Sequence, residues 1–441
     1  MRINREDLNK GLLEYIEASA TSFHAVAAAV ALLEKEGFQR LEEKASWQVG
    51  RALVPGGKYY VTRNNSSIIA FKVPQKGLAP FKITAAHNDS PCLKIKENSE
   101  LASGEKYTKL NVEVYGGAIY YSWFDRPLSI AGRVILNTEN GIKEKLVDFK
   151  KDMVIVPSVA IHLNREINKG FAINPQVDLL PLFAMKTPET SLEEGATVKK
   201  LIAEELGVNP EDILGHDLFV YNNAKGSIWG ADKEFLSAPR LDDLACGYAC
   251  LYSFISTENE DAVSVFALFD NEEEGSLTKQ GADSTFLGDV LSRICMGMGA
   301  SQEDYYCMLA RSFMISADNA HGVHPNHPEK YDENNRCFLN GGPVIKFNAG
   351  QKYTTDAVSA AYFKKICGMA DVPFQVFANR SDMAGGSTLG RLSAGHVSVN
   401  MVDIGLPQLA MHSSYETMGT FDMEYLVKAL CSFYGKNIII E

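Results

Sequence analysis

The chain has 441 residues, 46% of them hydrophobic and 22% charged, with a net charge of −12. This composition supports a large core and excludes a disordered chain. The acidic balance, with no block of Lys and Arg, excludes a polyanion such as nucleic acid as partner. In chain order, MRINREDLNKGLLEYIEAS is amphipathic and carries acids early, unlike a signal peptide. The apolar run AVAAAVALL is far shorter than a membrane span, so no membrane partner is expected. It reads as part of a helix capped by Ser22 and stopped at Gly37. Up to about residue 96, helical patterns alternate with apolar strands such as FKITAA (81–86).

From about residue 97 to 234 the texture changes. KLNVEVY, SIAGRVIL and MVIVPSVAI have the alternation of half-buried strands, and Asn140-Gly141 predicts a two-residue hairpin turn. A helical piece over 192–207 interrupts them. From about residue 235 the first texture returns. LDDLACGYACLYSFIS is helical with Leu244, Tyr248, Leu251 and Ile255 on one face, AVSVFALF is a strand, and MEYLVKALCSFYG closes the chain as a helix. The fold class predicted is α/β, with a mixed, mainly parallel sheet flanked by helices. Residues 1–96 and 235–441 form one discontinuous domain in this reading, and 97–234 a β-rich insertion. The eight cysteines are scattered without a CxxC, which predicts reduced, mostly buried thiols and a cytoplasmic compartment.

The chemistry lies where the apolar strands end. FKITAA runs into His87-Asn88-Asp89-Ser90, AVSVFALF into Asp270-Asn271-Glu272-Glu273-Glu274, and SFMIS into Asp318, while VSVNMVDIG leads on to His412. Parallel strands end on one edge of their sheet, where α/β proteins bind ligands. Asp242 and Asp243 open a helix and line the same edge. Two imidazoles with several carboxylates and no thiolate suit Zn²⁺, with Mn²⁺ or Co²⁺ as alternatives, in a catalytic site. Five such ligands suffice for two ions, and a further carboxylate is then needed to move a proton. Spacing leaves open whether Asp242 or Asp243 takes part, and by itself an acidic run after a strand is more often a solvated turn. His321, His324 and His327 form an HxxHxxH, but Pro325 and Pro328 prevent a helix there and point to loop histidines. His24 and His396 read as satisfied residues of the fold, and Cys246 and Cys250 as core.

The motifs SFHAV (22–26), AHNDSPCLKIK (86–96), SWFDRPLSIAGRV (122–134), IHLNREIN (161–168), APRLDDL (238–244), DNEEEGS (270–276), SADNAHGVHPNHPEK (316–330), GPVIKFNAGQKY (342–353) and DIGLPQLAMHSSYE (403–416) together resemble the aspartyl aminopeptidase family of cocatalytic-zinc metallopeptidases. The resemblance runs nearly end to end. It implies a zinc-exopeptidase-like fold with an inserted dimerisation domain, and two Zn²⁺ per subunit held by His87, Asp242, Glu273, Asp318 and His412. It makes Asp242 the shared ligand, Glu272 the general base and Asp89 the residue that orients His87. It further implies that Lys346 binds an acidic substrate side chain and that His162 reaches a neighbouring subunit's site. His321, close to Asp318 in sequence, is added as a substrate-positioning residue. The partners implied are peptides with a free N-terminus and further copies of the chain, in a dodecamer built from dimers.

Three positions depart from the family pattern: Asn88 stands for Thr, Glu274 for Val, and Gly385 to Arg391 replaces a stretch near the substrate. The alternatives are a neutral or broad N-terminal preference, a deacylase or carboxypeptidase of the same fold, and an assembly protein without turnover. The last would be expected to have lost ligands or base.

Overall fold

The computed structural model describes residues 4–48, 53–185 and 196–440. The chain divides into two compact units. One comprises 1–89, 226–411 and 416–441, and the other 90–225 with 412–415.

In the first unit nine strands form one sheet. Their order is Gln39–Arg40, Lys58–Arg63, Ser67–Lys72, Val263–Phe269, Phe81–His87, Phe313–Ala317, Asn400–Gly405, Val344–Phe347 and Gln375–Ala378. The four strands from Val263–Phe269 to Asn400–Gly405 run parallel, so their C-terminal ends share one edge. These central strands are apolar and buried on both faces, as helices on either side require. The period of two is visible in Val263–Phe269. Phe266 and Leu268 join the core beneath helices Arg5–Ala18, Ser22–Lys35, Leu241–Ser256, Ala357–Ala370 and Asp422–Gly435. Val265, Ala267 and Phe269 face helices Phe286–Gly297, Gln302–Ala310 and Leu389–Ala394. A smaller five-stranded sheet, Ser227–Trp229, Phe235–Ala238, Glu416–Gly419, Pro407–Leu409 and Ala320–His321, belongs to the same unit.

The second unit is a seven-stranded sheet that closes on itself. Ile213–Tyr221 pairs with Cys92–Ser103 on one side and with Pro127–Thr138 on the other. Its interior is a separate apolar core that includes Leu93, Ile95, Leu128, Ile130, Val134, Leu218 and Val220. Closure leaves Gly141–Asp148, which pairs with Pro127–Thr138, outside the ring as an edge strand.

Several local expectations need correction. The hairpin after Pro127–Thr138 turns at Glu139-Asn140, because Thr138 pairs with Gly141; Gly141, at φ 112°, begins the next strand. The helix Ser22–Lys35 is preceded by Thr21 as its N-cap, and the Thr21 hydroxyl bonds His24 Nδ1 at 2.9 Å instead of a backbone amide. Within MVIVPSVAI only Val154–Ile155 is a strand; Pro157 cannot donate to a ladder and the residues after it are exposed. The helix expected over 192–207 is observed as Val198–Leu206, started by the Thr197 side chain; residues 192–195 lie outside the described residues. Cys246, Cys250, Cys295, Cys337 and Cys367 are buried thiols, and Cys307 is exposed.

Candidate metal centre

The site is built at the C-terminal edge of the parallel strands. His87 ends its strand and is 1% exposed. Its backbone amide donates to Asp243 Oδ2 at 3.2 Å, and its Nδ1 lies 3.1 Å from the Asp89 carbonyl oxygen. Those contacts fix the ring, leaving Nε2 facing Asp242 Oδ1 at 3.4 Å and Glu272 Oε2 at 4.0 Å. Asp89 has a second task. Its two carboxylate oxygens accept the backbone amides of Glu272 and Glu273, each at 3.1 Å. One buried carboxylate thereby holds the tight turn that carries both glutamates. The turn departs from the strand through Asn271, at φ 63°, whose side-chain oxygen accepts from Thr278 and Gln280 at 2.8 Å each.

Asp242 and Asp243 are not helical although they lie at the start of Leu241–Ser256. Their dihedrals are extended and bent, and the bond between them is cis. Asp242 is further located by its amide, which donates to Glu416 Oε2 at 3.0 Å. Asp318 follows Phe313–Ala317, and its amide donates to the Ile404 carbonyl at 3.0 Å.

Among the described residues of the first unit, two groups of ligand atoms converge within 4.8 Å: His87, Glu272 and Glu273, and His87, Asp242 and Asp318. His412 belongs to the 412–415 segment of the second unit, where its Nδ1 lies 3.1 Å from the Gly117 carbonyl oxygen. His162 is exposed in that unit. His321 has an exposed side chain, edge-on to Phe377 at 6.0 Å, and His324 and His327 lie in an exposed loop. Glu274 and Arg391 are exposed, and Asn88 is buried, donating to the Ser66 carbonyl oxygen at 2.9 Å.

Burial is the main force on the acids. It pushes Glu272 up to about 8, with Asp318, Asp89 and Asp242 adding to the rise and His87 opposing it. Glu273 and Asp243 are raised well above the carboxylate range, again by burial first. Asp318 is raised by burial, against the pull of Lys346. His87 is raised as well: burial would lower it, but Asp242 and Asp89 carry it well above its ordinary value. Carboxylates driven up by burial and by one another, packed around an imidazole, form a set short of positive charge. A divalent cation supplies that charge, and the oxygen and imidazole donors are those that zinc accepts. The residues therefore fit the ion.

Lys346 was expected to face substrate. It is 3% exposed; its Nζ donates to the Asn319 carbonyl at 2.7 Å and lies 3.7 Å from Asp318 Oδ1. Asp243, which spacing alone left as an alternative to Asp242, holds the His87 amide, and two contributors escaped sequence reasoning: Glu416, which holds Asp242, and Asn319, which donates to the Leu241 carbonyl at 2.8 Å and to Gln408 at 3.0 Å. No spacing rule marks them, because they act through backbone groups that come together only in the fold.

A family described as "Aminopeptidase I zinc metalloprotease (M18)" matches residues 15–434. The chain belongs to this family. It is 45% identical over 436 residues to a "Probable M18 family aminopeptidase 2" of Clostridium acetobutylicum, covering 98% of this chain and 99% of the relative. To the protein of the same name in Clostridium novyi it is 47% identical over 428 residues, 96% and 98% of the two chains. Among solved structures, it superposes with a TM-score of 0.93 and 36% identity on a chain of the cryo-EM structure of the Ape4 and Nbr1 complex, covering 98% of this chain and 87% of that one. It also superposes on the S. cerevesiae mApe1 dodecamer, with a TM-score of 0.84, 28% identity, and 97% and 96% coverage. Membership makes the protein a zinc-dependent aminopeptidase, a hydrolase of peptide bonds. No helix among the described residues is long and apolar enough to cross a membrane.

Proposed function

We propose that the protein removes the N-terminal residue of peptides using two zinc ions per subunit, with preference for Asp or Glu at that residue. The observation that carries this reading is the convergence of His87 with Asp242, Asp318, Glu272 and Glu273 at one sheet edge. His87 and Asp318 would hold one ion and Glu273 and His412 the other, with Asp242 as a ligand they would share. Bound zinc would acidify a water and polarise the peptide carbonyl.

The chain's own residues do the rest. Glu272 takes a proton from the attacking water and delivers it to the leaving amine. Asp89 keeps Glu272 and Glu273 in register through their amides and orients the His87 ring through its own backbone. The Lys346 ammonium, kept charged by Asp318 against the effect of burial, favours an acidic side chain beside it, and His321 helps position the substrate. The fixed acids near the ions also suit the free α-amino group that makes the enzyme an exopeptidase.

The assembly proposed is a dimer-based dodecamer in the cytoplasm, with the 97–234 insertion as the dimerising unit and His162 reaching a neighbour's site. The row of exposed Val159, Ile161, Leu163, Ile167 and Phe171 in that unit supports it. The test is Glu272→Gln. The variant should bind zinc as the wild type does and lose at least 10²-fold in turnover of N-terminal Asp peptides. Wild-type turnover in it would refute the role of Glu272. A panel of Asp, Glu, Leu and Lys peptides decides the preference.

A further inference from the structure

Asp403 lies in the strand Asn400–Gly405, with no exposed surface. Its carboxylate is filled by neutral donors from two segments. Oδ2 accepts the Thr354 amide at 2.6 Å and the Thr354 hydroxyl at 2.7 Å, while Oδ1 accepts the Thr388 hydroxyl at 2.7 Å. The Asp403 amide in turn donates to the Thr355 hydroxyl at 2.9 Å. Tyr353 stands just before these two threonines. Its ring is 6% exposed and centred 5.6 Å from Lys346 Nζ. On the other flank of Tyr353, Lys352 donates to the Gly385 carbonyl, so the two segments are also tied to each other.

The backbone at Gly390 also comes close to this carboxylate. A Cβ at Gly390 would sit 2.5 Å from Asp403 Oδ1 and 2.8 Å from Ser316. Residues 348–356 and 379–388 contain no strand or helix. The Asp403 carboxylate joins the two, and hydrogen bonds to a buried carboxylate are costly to lose.

We propose that Asp403 is a positioning residue for substrate selection. By clasping Thr354, Thr355 and Thr388 it seats Tyr353 against Lys346, and so shapes the wall that meets the side chain of the substrate's first residue. The proposal rests on the aminopeptidase reading above. It concerns a carboxylate that touches neither ion nor substrate and acts through Tyr353 and Lys346.

The experiment compares kcat/KM for an N-terminal Asp peptide and an N-terminal Leu peptide in the zinc-loaded wild type, Asp403→Asn, Thr354→Val and Thr354→Ser. The ratio of the two substrates cancels the fraction of active protein, so general destabilisation does not move it. The ratio is expected to shift by roughly fivefold or more in Asp403→Asn and Thr354→Val, and to return to the wild-type value in Thr354→Ser, which keeps the hydroxyl. Thr354→Val decides the matter if Asp403→Asn does not fold. An active wild type with an unchanged ratio in the variants overturns the proposal alone. A wild type inert toward every peptide overturns the aminopeptidase reading and the proposal with it.

Discussion

Gly405 offers the sharpest test of how the strand edge carries the site. It ends the strand Asn400–Gly405 and pairs with Val344. A Cβ there would lie 1.9 Å from the Asp318 carbonyl oxygen, 2.9 Å from its carbonyl carbon and 3.0 Å from the Asn319 carbonyl carbon. All three are backbone atoms, so no rotamer change relieves the clash. Moving from 1.9 Å to the 3.4 Å at which ordinary contact begins requires a shift of about 1.5 Å. The shift falls on a segment pinned by the bond from Asp318 N to Ile404 O. That segment bears the Asp318 carboxylate and the Asn319 carbonyl that holds Lys346. Misplacing a reacting arrangement by about 1 Å costs on the order of 10²-fold, and overpacking costs about 1–3 kcal/mol of stability. Gly405→Ala should therefore lose roughly 10²-fold in kcat/KM and bind zinc more weakly, as followed by peptide hydrolysis and zinc titration. Gly368→Ala is the control, since nothing lies within 4 Å of its Cβ on the helix Ala357–Ala370. It should stabilise by up to about 1 kcal/mol. A Gly405→Ala enzyme with wild-type zinc affinity and turnover would refute the argument.

Three further outcomes follow from the same packing and charge. Chelator-stripped protein should melt at lower temperature, and zinc at 100 times its Kd should restore about 2.7 kcal/mol; a melting temperature indifferent to zinc would contradict the charge-deficient reading of the acids. Phe254 is fully buried beside Phe38, Phe266 and Tyr434, so Phe254→Ala should cost about 3–5 kcal/mol in urea unfolding. Burial lowers the Lys82 ammonium to about 8, although its Nζ is held by the Phe433 and Lys436 carbonyls. The folded state thus releases this proton before the unfolded state does, near 10.5. The group's contribution is complete above about 10.5 and is lost as pH falls through 8. Relative to wild type, Lys82→Met should stand about 3 kcal/mol better at pH 7 than at pH 10.5, measured by urea unfolding at both; an equal difference at the two pH values would refute the shift.

The parts of the fold legible in the sequence are those governed by periodicity. Val263–Phe269 and Phe81–His87 are unbroken apolar runs, and the structure places both inside the parallel sheet. The strand ends were legible for the same reason: when the hydrophobic run stops, so does the strand, and His87, Asp270 and Asp318 stand at those stops. Turn and cap positions were less legible because they depend on register. Asn140-Gly141 is a strong local signal, yet the pairing of Thr138 with Gly141 moves the turn one residue back. Closure of the second sheet left no local mark, since it depends on Ile213–Tyr221 meeting strands about 80 to 120 residues earlier in the chain.

The same distinction separates groups able to bind a metal from the groups that aim them. A ligand must be a residue of the right chemical type, so His87, Asp242 and Asp318 are visible as letters. An orienting group needs only an oxygen or an amide at the right place, which any sequence can supply. Asp89 reaches the amides of Glu272 and Glu273, Glu416 reaches the amide of Asp242, and Asn319 offers Lys346 a backbone carbonyl. Lys346 shows the consequence. As a letter in a strand it reads as a cation free to meet an acidic substrate, but in the fold its charge is already committed to Asn319 and Asp318. Any acidic side chain it recognises must therefore share that ammonium with Asp318. Selection of the kind proposed above would depend on how closely Tyr353 and Asp318 hold Lys346, and not on the presence of the lysine alone.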